Sequence, residues 1–148
     1  MNTSNVARKK AMPPMPEPVA AVFGSFPVDV ADALRTVRTL IFQLGDELEA
    51  GPLTETLKWG EPAYLTEASK SGSTIRLGWK AKFPHHGHIF FNCNTDLVAR
   101  CRGMFPDQFT FEGNRGLSFD VGNPLPVTPI KVCLTMALLY HRDKKRRQ

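Results

Sequence analysis

The stretch Thr56-Leu57-Lys58-Trp59-Gly60-Glu61-Pro62-Ala63-Tyr64-Leu65-Thr66 sets an amine, an indole, a carboxylate and a phenol within a few residues of one another. Such a set could meet a polar ligand against an aromatic wall, with Lys58 or Glu61 as a proton-transfer group if the pocket closes. The same residues also have a purely structural reading. Gly60 suits the left-handed end of a short helix, Pro62 forbids its continuation, and Trp59 would anchor the joint. A second constellation, Glu112-Gly113-Asn114-Arg115, puts a carboxylate and a guanidinium on either side of a Gly-Asn pair suited to a two-residue hairpin turn. Across such a turn Glu112 and Arg115 would face each other. They would form either a plain ion pair or a bidentate grip on an acidic or amide ligand, with Glu112 orienting Arg115.

The candidate ligand-binding set is therefore Lys58, Trp59, Glu61, Tyr64, Arg76, Glu112, Asn114 and Arg115. In it Arg76 and Arg115 hold an anionic group, while Trp59 and Tyr64 supply stacking area. His85, His86 and His88 invite a metal, but they lie in a loop context, and strand parity turns His88 away from Cys93. With no HExxH and no paired-acid helix motif, no metal and no cofactor is assigned. Asp46, Glu47, Glu49 and Glu55 read as a solvated face near the end of a long helix. The segment GLSFD lacks the second glycine of a nucleophile elbow, and nothing resembles a phosphate-cradling loop. Phe90, Phe91, Lys80 and Lys82 mimic a stacking platform for single-stranded nucleic acid. Ten phenylalanines in a chain of 148 residues are better used as a core.

The elements that must position these groups follow from periodicity. Val30, Leu34, Val37, Ile41, Leu44 and Leu48 recur at alternating steps of four and three, one stripe of an amphipathic helix that starts near Asp29 and is stopped by Gly51-Pro52. Pro52 to Lys58 reads as a short second helix, with Leu53 and Leu57 on one side. Strands are expected over 63–68, 74–79 and 89–93, the last an apolar run suited to a covered central position. Asn94-Thr95-Asp96 caps a third helix, residues 109–121 form a hairpin, and a last helix runs from about Val127 to Arg142. This order predicts a single α+β domain over residues 23–142, with a mainly antiparallel sheet of about five strands and helices packed on one face. Residues 1–22, rich in Pro, Ser, Asn and Lys, are expected as a flexible arm, and 143–148 as a basic tail.

The net charge of +5 lies at the ends. Eight of the 19 bases and one of the 14 acids fall within residues 1–10 and 142–148, so the rest of the chain carries −2. A polyanion such as nucleic acid would thus be met only non-specifically, through the basic tail. Proline interrupts the N-terminal segment where a signal peptide needs an apolar run, and no stretch nears the roughly 18 apolar residues that cross a bilayer, so neither export nor a membrane partner is expected. Three cysteines without CxxC spacing point to a reducing cytoplasm, with Cys101 and Cys133 as buried thiols on helix faces.

The blocks LKWGEPAYLT, STIRLGW, FFNCNTDLVARCRGMFPDQFTFEGNRGLSF and ALLYH, in that order, resemble the YdhG-like family of small bacterial domains, mostly of unknown function. The likeness spans about Phe23 to His141 and falls in a subgroup with a KWGxPxY element, a TxLV helix and an EGNR hairpin. It implies a compact α+β domain with a curved antiparallel sheet. Some relatives are linked to intracellular iron handling as frataxin-like chaperones, a role resting on acidic surface residues. The chain departs from the subgroup pattern at Asn92, where histidine is usual, and at Gly116, where alanine often follows the arginine. The expected function is a cytosolic domain that binds a small polar or anionic ligand, or a protein partner. An iron chaperone and a small enzyme acting through Lys58 or Glu61 are the alternatives.

Overall fold

The computed structural model describes residues 12–146. Five helices and six strands follow one another as α1 (Glu17–Ser25), α2 (Val28–Glu47), β1 (Thr54–Lys58), β2 (Glu61–Leu65), β3 (Ile75–Gly78), β4 (His86–Phe91), α3 (Leu97–Met104), β5 (Thr110–Glu112), β6 (Gly116–Asp120), α4 (Val127–Leu138) and α5 (Tyr140–Arg146). Every strand pairs antiparallel, in the spatial order β1-β2-β3-β4-β6-β5. The sheet is open and α+β, with six strands where about five are expected.

Pleating divides the side chains into two sets. Tyr64, Ile75, Leu77, Ile89, Phe91, Leu117 and Phe119 enter the core with the apolar stripe Val30, Leu34, Val37 and Ile41 of α2 and with Ile130, Leu134 and Leu138 of α4. Their alternates, among them Glu61, Arg76, His86, His88, Phe90 and Ser118, lie on the opposite face. Burying one face of the sheet under helices and leaving the other to polar groups is the usual solution for an antiparallel sheet.

Four expectations are corrected here. Residues 54–58 are a strand, not a helix: Glu55 and Leu57 point inward while Thr54, Thr56 and Lys58 alternate outward, and β-branched threonines suit that pleat. The spacing of Leu53 and Leu57 fits one side of a helix and one face of a strand equally well. The expected arm contains α1, which begins behind Pro16 and buries Val19 and Phe23; residues 1–11 of that arm lie outside the described residues. The apolar run of β4 does take the central, covered position expected of it, inside the sheet and with residues 87–91 all buried. The last helix is interrupted at Leu139, and the expected basic tail is helical as far as Arg146, with residues 147–148 outside the described part.

Candidate functional site

The opening stretch is a hairpin. Lys58 pairs with Glu61, and the two residues between them, Trp59 (φ 56°) and Gly60 (φ 75°), both have positive φ, the signature of a type I′ turn. Trp59 is therefore no buried anchor: it stands at the tip, 89% exposed. Tyr64 also leaves the expected set. Strand parity turns it into the core, where its hydroxyl donates to Glu55 Oε2 at 2.9 Å. Glu55 in turn accepts from Arg38 Nε at 2.6 Å and Nη2 at 2.8 Å, and Arg38 Nη2 also donates to the Pro13 carbonyl. The Glu55 side chain is 6% exposed, so it is no part of a solvated acidic face. The bond to Glu55 raises the Arg38 pKa, and burial raises that of the Tyr64 phenol. Both groups are fixed in one charge state, which suits a structural ion pair.

The second constellation changes as well. Glu112 is paired with Gly116, leaving a three-residue loop in which Gly113 has φ 51° and Arg115 N–H donates to the Glu112 carbonyl at 3.0 Å. Arg115 is thus displaced from the position opposite Glu112. Its side chain is exposed and makes no hydrogen bond or ion pair among the described residues. Asn114 serves as a tie, its Nδ2 donating to the Cys93 carbonyl at 2.9 Å, while Arg102 Nη2 donates to the Gly113 carbonyl at 2.7 Å.

Of the eight residues, Glu61, Arg76 and Glu112 do converge, around Phe90 on the face without helices. Phe90 lies over two glycines. A Cβ on Gly78 would come 2.9 Å from its ring, and one on Gly116 would come 2.7 Å from it. The guanidinium of Arg76 lies 5.4 Å and the ammonium of Lys80 5.3 Å from the ring centroid, both within cation–π range. Arg76 Nη1 donates to Glu61 Oε1 at 2.5 Å, and Lys80 Nζ donates to Glu112 Oε1 and Oε2 at 2.7 and 2.6 Å. The Lys80 pair is notable for its span. Lys80 follows β3, while Glu112 is on β5, and β4 and β6 lie between those strands.

His88 stacks on Phe90, with ring centroids 5.5 Å apart and planes 12° apart. Although on the uncovered face it is only 3% exposed, and its Nε2 has no partner among the described residues. Burial, and then the nearby Lys80 ammonium, hold its pKa down to about 4. It lines a cavity of about 90 Å³ shared with Phe83, Thr110, Phe111, Glu112, Leu117 and Ser118. Beside it the Ser118 hydroxyl meets His86 Nδ1 at 2.9 Å. Burial likewise pushes the Glu61 carboxyl above its ordinary pKa, against the pull of Arg76 and Lys80. A larger, mainly apolar concavity of about 360 Å³ lies on the helical side between α2 and α4, around Leu44, Lys131 and Met136, far from these polar groups.

Lys80, His88 and Phe90 were thus missing from the expected set. The alternation His86, His88, Phe90 against Gly87, Ile89, Phe91 could have shown His88 and Phe90, because it divides HGHIFF into a polar-aromatic face and an apolar one, whereas Lys80 lies outside any strand and carries no such signal. Among the described residues no three His, Cys, Asp or Glu side chains gather closely enough to hold a metal ion. The three cysteines are free, Cys101 and Cys133 buried, and among the described residues no helix is long and apolar enough to cross a membrane.

No family model, curated protein or solved structure matches this chain.

Proposed function

We propose that this chain is a cytoplasmic binding domain of the YdhG-like kind whose uncovered sheet face takes a small anionic ligand between Arg76 and Lys80. The observation that carries the reading is the pair of cations held over Phe90. An exposed ion pair contributes little to stability. Two such pairs converging on one aromatic ring, over glycines that let the ring lie flat, form a more ordered arrangement than solubility requires. Each cation keeps unused donors, since Arg76 spends only Nη1 on Glu61 and the Lys80 ammonium has a third N–H.

In this reading Glu61 and Glu112 hold the cations in place until an external anion accepts from them, and Lys58, exposed on the same face beside Glu61, adds positive charge at the rim. The thermal midpoint of the wild-type chain, screened against carboxylates and phosphates, should rise with at least one class, and Arg76→Ala or Lys80→Ala should abolish that rise while remaining folded. Equal shifts in wild type and both variants would refute the proposal.

A further inference from the structure

The sheet ends on one side in β1, and that edge is open. Lys58 and Glu61 flank a two-residue turn and so form a hydrogen-bonded pair, which sets the phase along the hairpin. Thr54, Thr56 and Lys58 turn their backbone groups to β2, while Glu55 and Leu57 turn theirs outward. Pro62, which has no N–H to give, falls opposite Leu57, where this phase asks for no bond. Among the described residues nothing bonds to the outward N–H and C=O groups of Glu55 and Leu57. Native edge strands are commonly kept short, or broken by proline or a bulge, against pairing with another chain. The opposite edge, β5, is three residues long; β1 is five, with no proline and an unbroken register. Its one inward charge, Glu55, is neutralised by Arg38 of the same chain. At its tip stands Trp59, 89% exposed.

We propose that β1 pairs antiparallel with β1 of a second copy, joining two sheets into one across a twofold axis at Thr56. The register follows from the outward groups. Antiparallel strands exchange bonds between residues whose backbone groups face each other, so Glu55 lies opposite the partner's Leu57, Leu57 opposite the partner's Glu55, and Thr56 opposite itself. Centring the pair on Glu55 or on Leu57 would leave the other outward residue facing a loop. The side chains fit the same register. Thr56 meets its own copy, a favourable β-branched pair. Lys58 stands opposite the partner's Thr54, whose hydroxyl donates to Glu67 Oε1 at 2.8 Å, so each ammonium finds the partner's exposed Glu67 carboxylate beside it. Trp59, next along, comes to the partner's Leu53, half-buried at the margin of the core. The contact is isologous, so each of these meetings occurs on both sides of the axis. It gives the exposed, left-handed Trp59 a packing partner that its own chain does not supply. That fit of base to acid at opposite ends of one strand favours a second copy over an unrelated peptide. Because the axis runs perpendicular to the sheet, the two uncovered faces lie side by side.

The test reads the register directly. In the full chain carrying Cys93→Ser, which removes the exposed thiol, a single new cysteine is placed at Thr54, Thr56 or Lys58. Residues opposite each other in a non-hydrogen-bonded pair lie about 4.5 Å apart between Cα atoms, within reach of a disulfide. On air oxidation Thr56→Cys should cross-link to a dimer by itself. Thr54→Cys and Lys58→Cys should each stay monomeric alone and cross-link when mixed. In sedimentation the wild-type chain should show a monomer–dimer equilibrium. Thr56→Lys sets like charges across the axis and should weaken it about fivefold or more, with the circular dichroism of the dilute chain unchanged. Lys58→Glu should also weaken it, and adding Glu67→Lys should restore it. Cross-linking to the same extent from all three positions, or a dimer indifferent to Thr56→Lys and to the charge exchange, would overturn the proposal. So would a wild-type chain that stays monomeric up to about 1 mM, which would leave the edge to a strand of another protein.

Discussion

At the scale of single residues, buried polar groups differ sharply in what they contribute. Glu55 has three donors around it and is the point where α2, β1, β2 and the segment before α1 are joined. Removing it leaves Arg38 buried and uncompensated, so Glu55→Ala should cost about 3–5 kcal/mol in urea unfolding, whereas Tyr64→Phe, which removes one bond to a charged acceptor, should cost about 1.5–3 kcal/mol. His88 behaves oppositely, being buried without a partner. Its pKa is lowered from 6.5 to about 4 on folding, so the unfolded chain takes up its proton first. Its contribution to stability is complete above pH 6.5 and is lost as pH falls toward 4, an effect of about 3 kcal/mol at most. The Glu61 carboxyl, raised by burial, works with the other sign, favouring the folded state at low pH. The clean measurement is the difference between wild type and His88→Gln across this window. It should shrink as the pH falls, and a difference independent of pH would contradict the assignment.

At the scale of elements, the β1–β2 hairpin carries a cost that nothing in its own packing offsets. A left-handed conformation at a non-glycine residue costs roughly 1–2 kcal/mol, and asparagine tolerates it far better than tryptophan. Trp59→Asn should therefore stabilise the domain, by about 1 kcal/mol in chemical denaturation; a loss of stability would mean that the indole packs on its surroundings in solution. Gly116→Ala should do the reverse. The new methyl would stand 2.7 Å from the Phe90 ring and 2.8 Å from the Ile89 carbonyl oxygen, an overpacking worth about 1–3 kcal/mol that also displaces the ring from beneath the two cations. Most elements were legible from periodicity: the α2 stripe, the apolar face of α3, the hairpin over residues 109–121 and the start of α4; the side-chain cap expected of Asp96 at the start of α3 is not made. What failed was the reading of short segments. Residues 54–58 carry a spacing shared by helix and strand, and α1 is short and follows a proline cluster that resembles a flexible arm. Such segments take their form from what they pack against, which a local pattern does not contain.

At the scale of the whole molecule, one antiparallel sheet separates two kinds of surface: a helical side that holds the core, and an open side where charged and aromatic groups are organised around Phe90. Sequence reasoning named Glu61, Arg76 and Glu112 but also drew in Tyr64, which strand parity sends to the other side, and Arg115, which one extra loop residue displaces. It paired Glu112 with the nearest base in the chain. The sheet instead brings it Lys80, 32 positions away, a contact that depends on the strand order and on the path of the 79–85 segment. The measurement that bears most directly on this account is backbone amide NMR of the wild-type chain with whichever anion raises its thermal midpoint. Shifts concentrated at Lys58–Glu61, Ile75–Lys80, His86–Phe90 and Glu112–Ser118 are the expected result. Shifts gathered instead around Leu44, Lys131 and Met136, in the groove between α2 and α4, would contradict it and move the functional surface to the helical side.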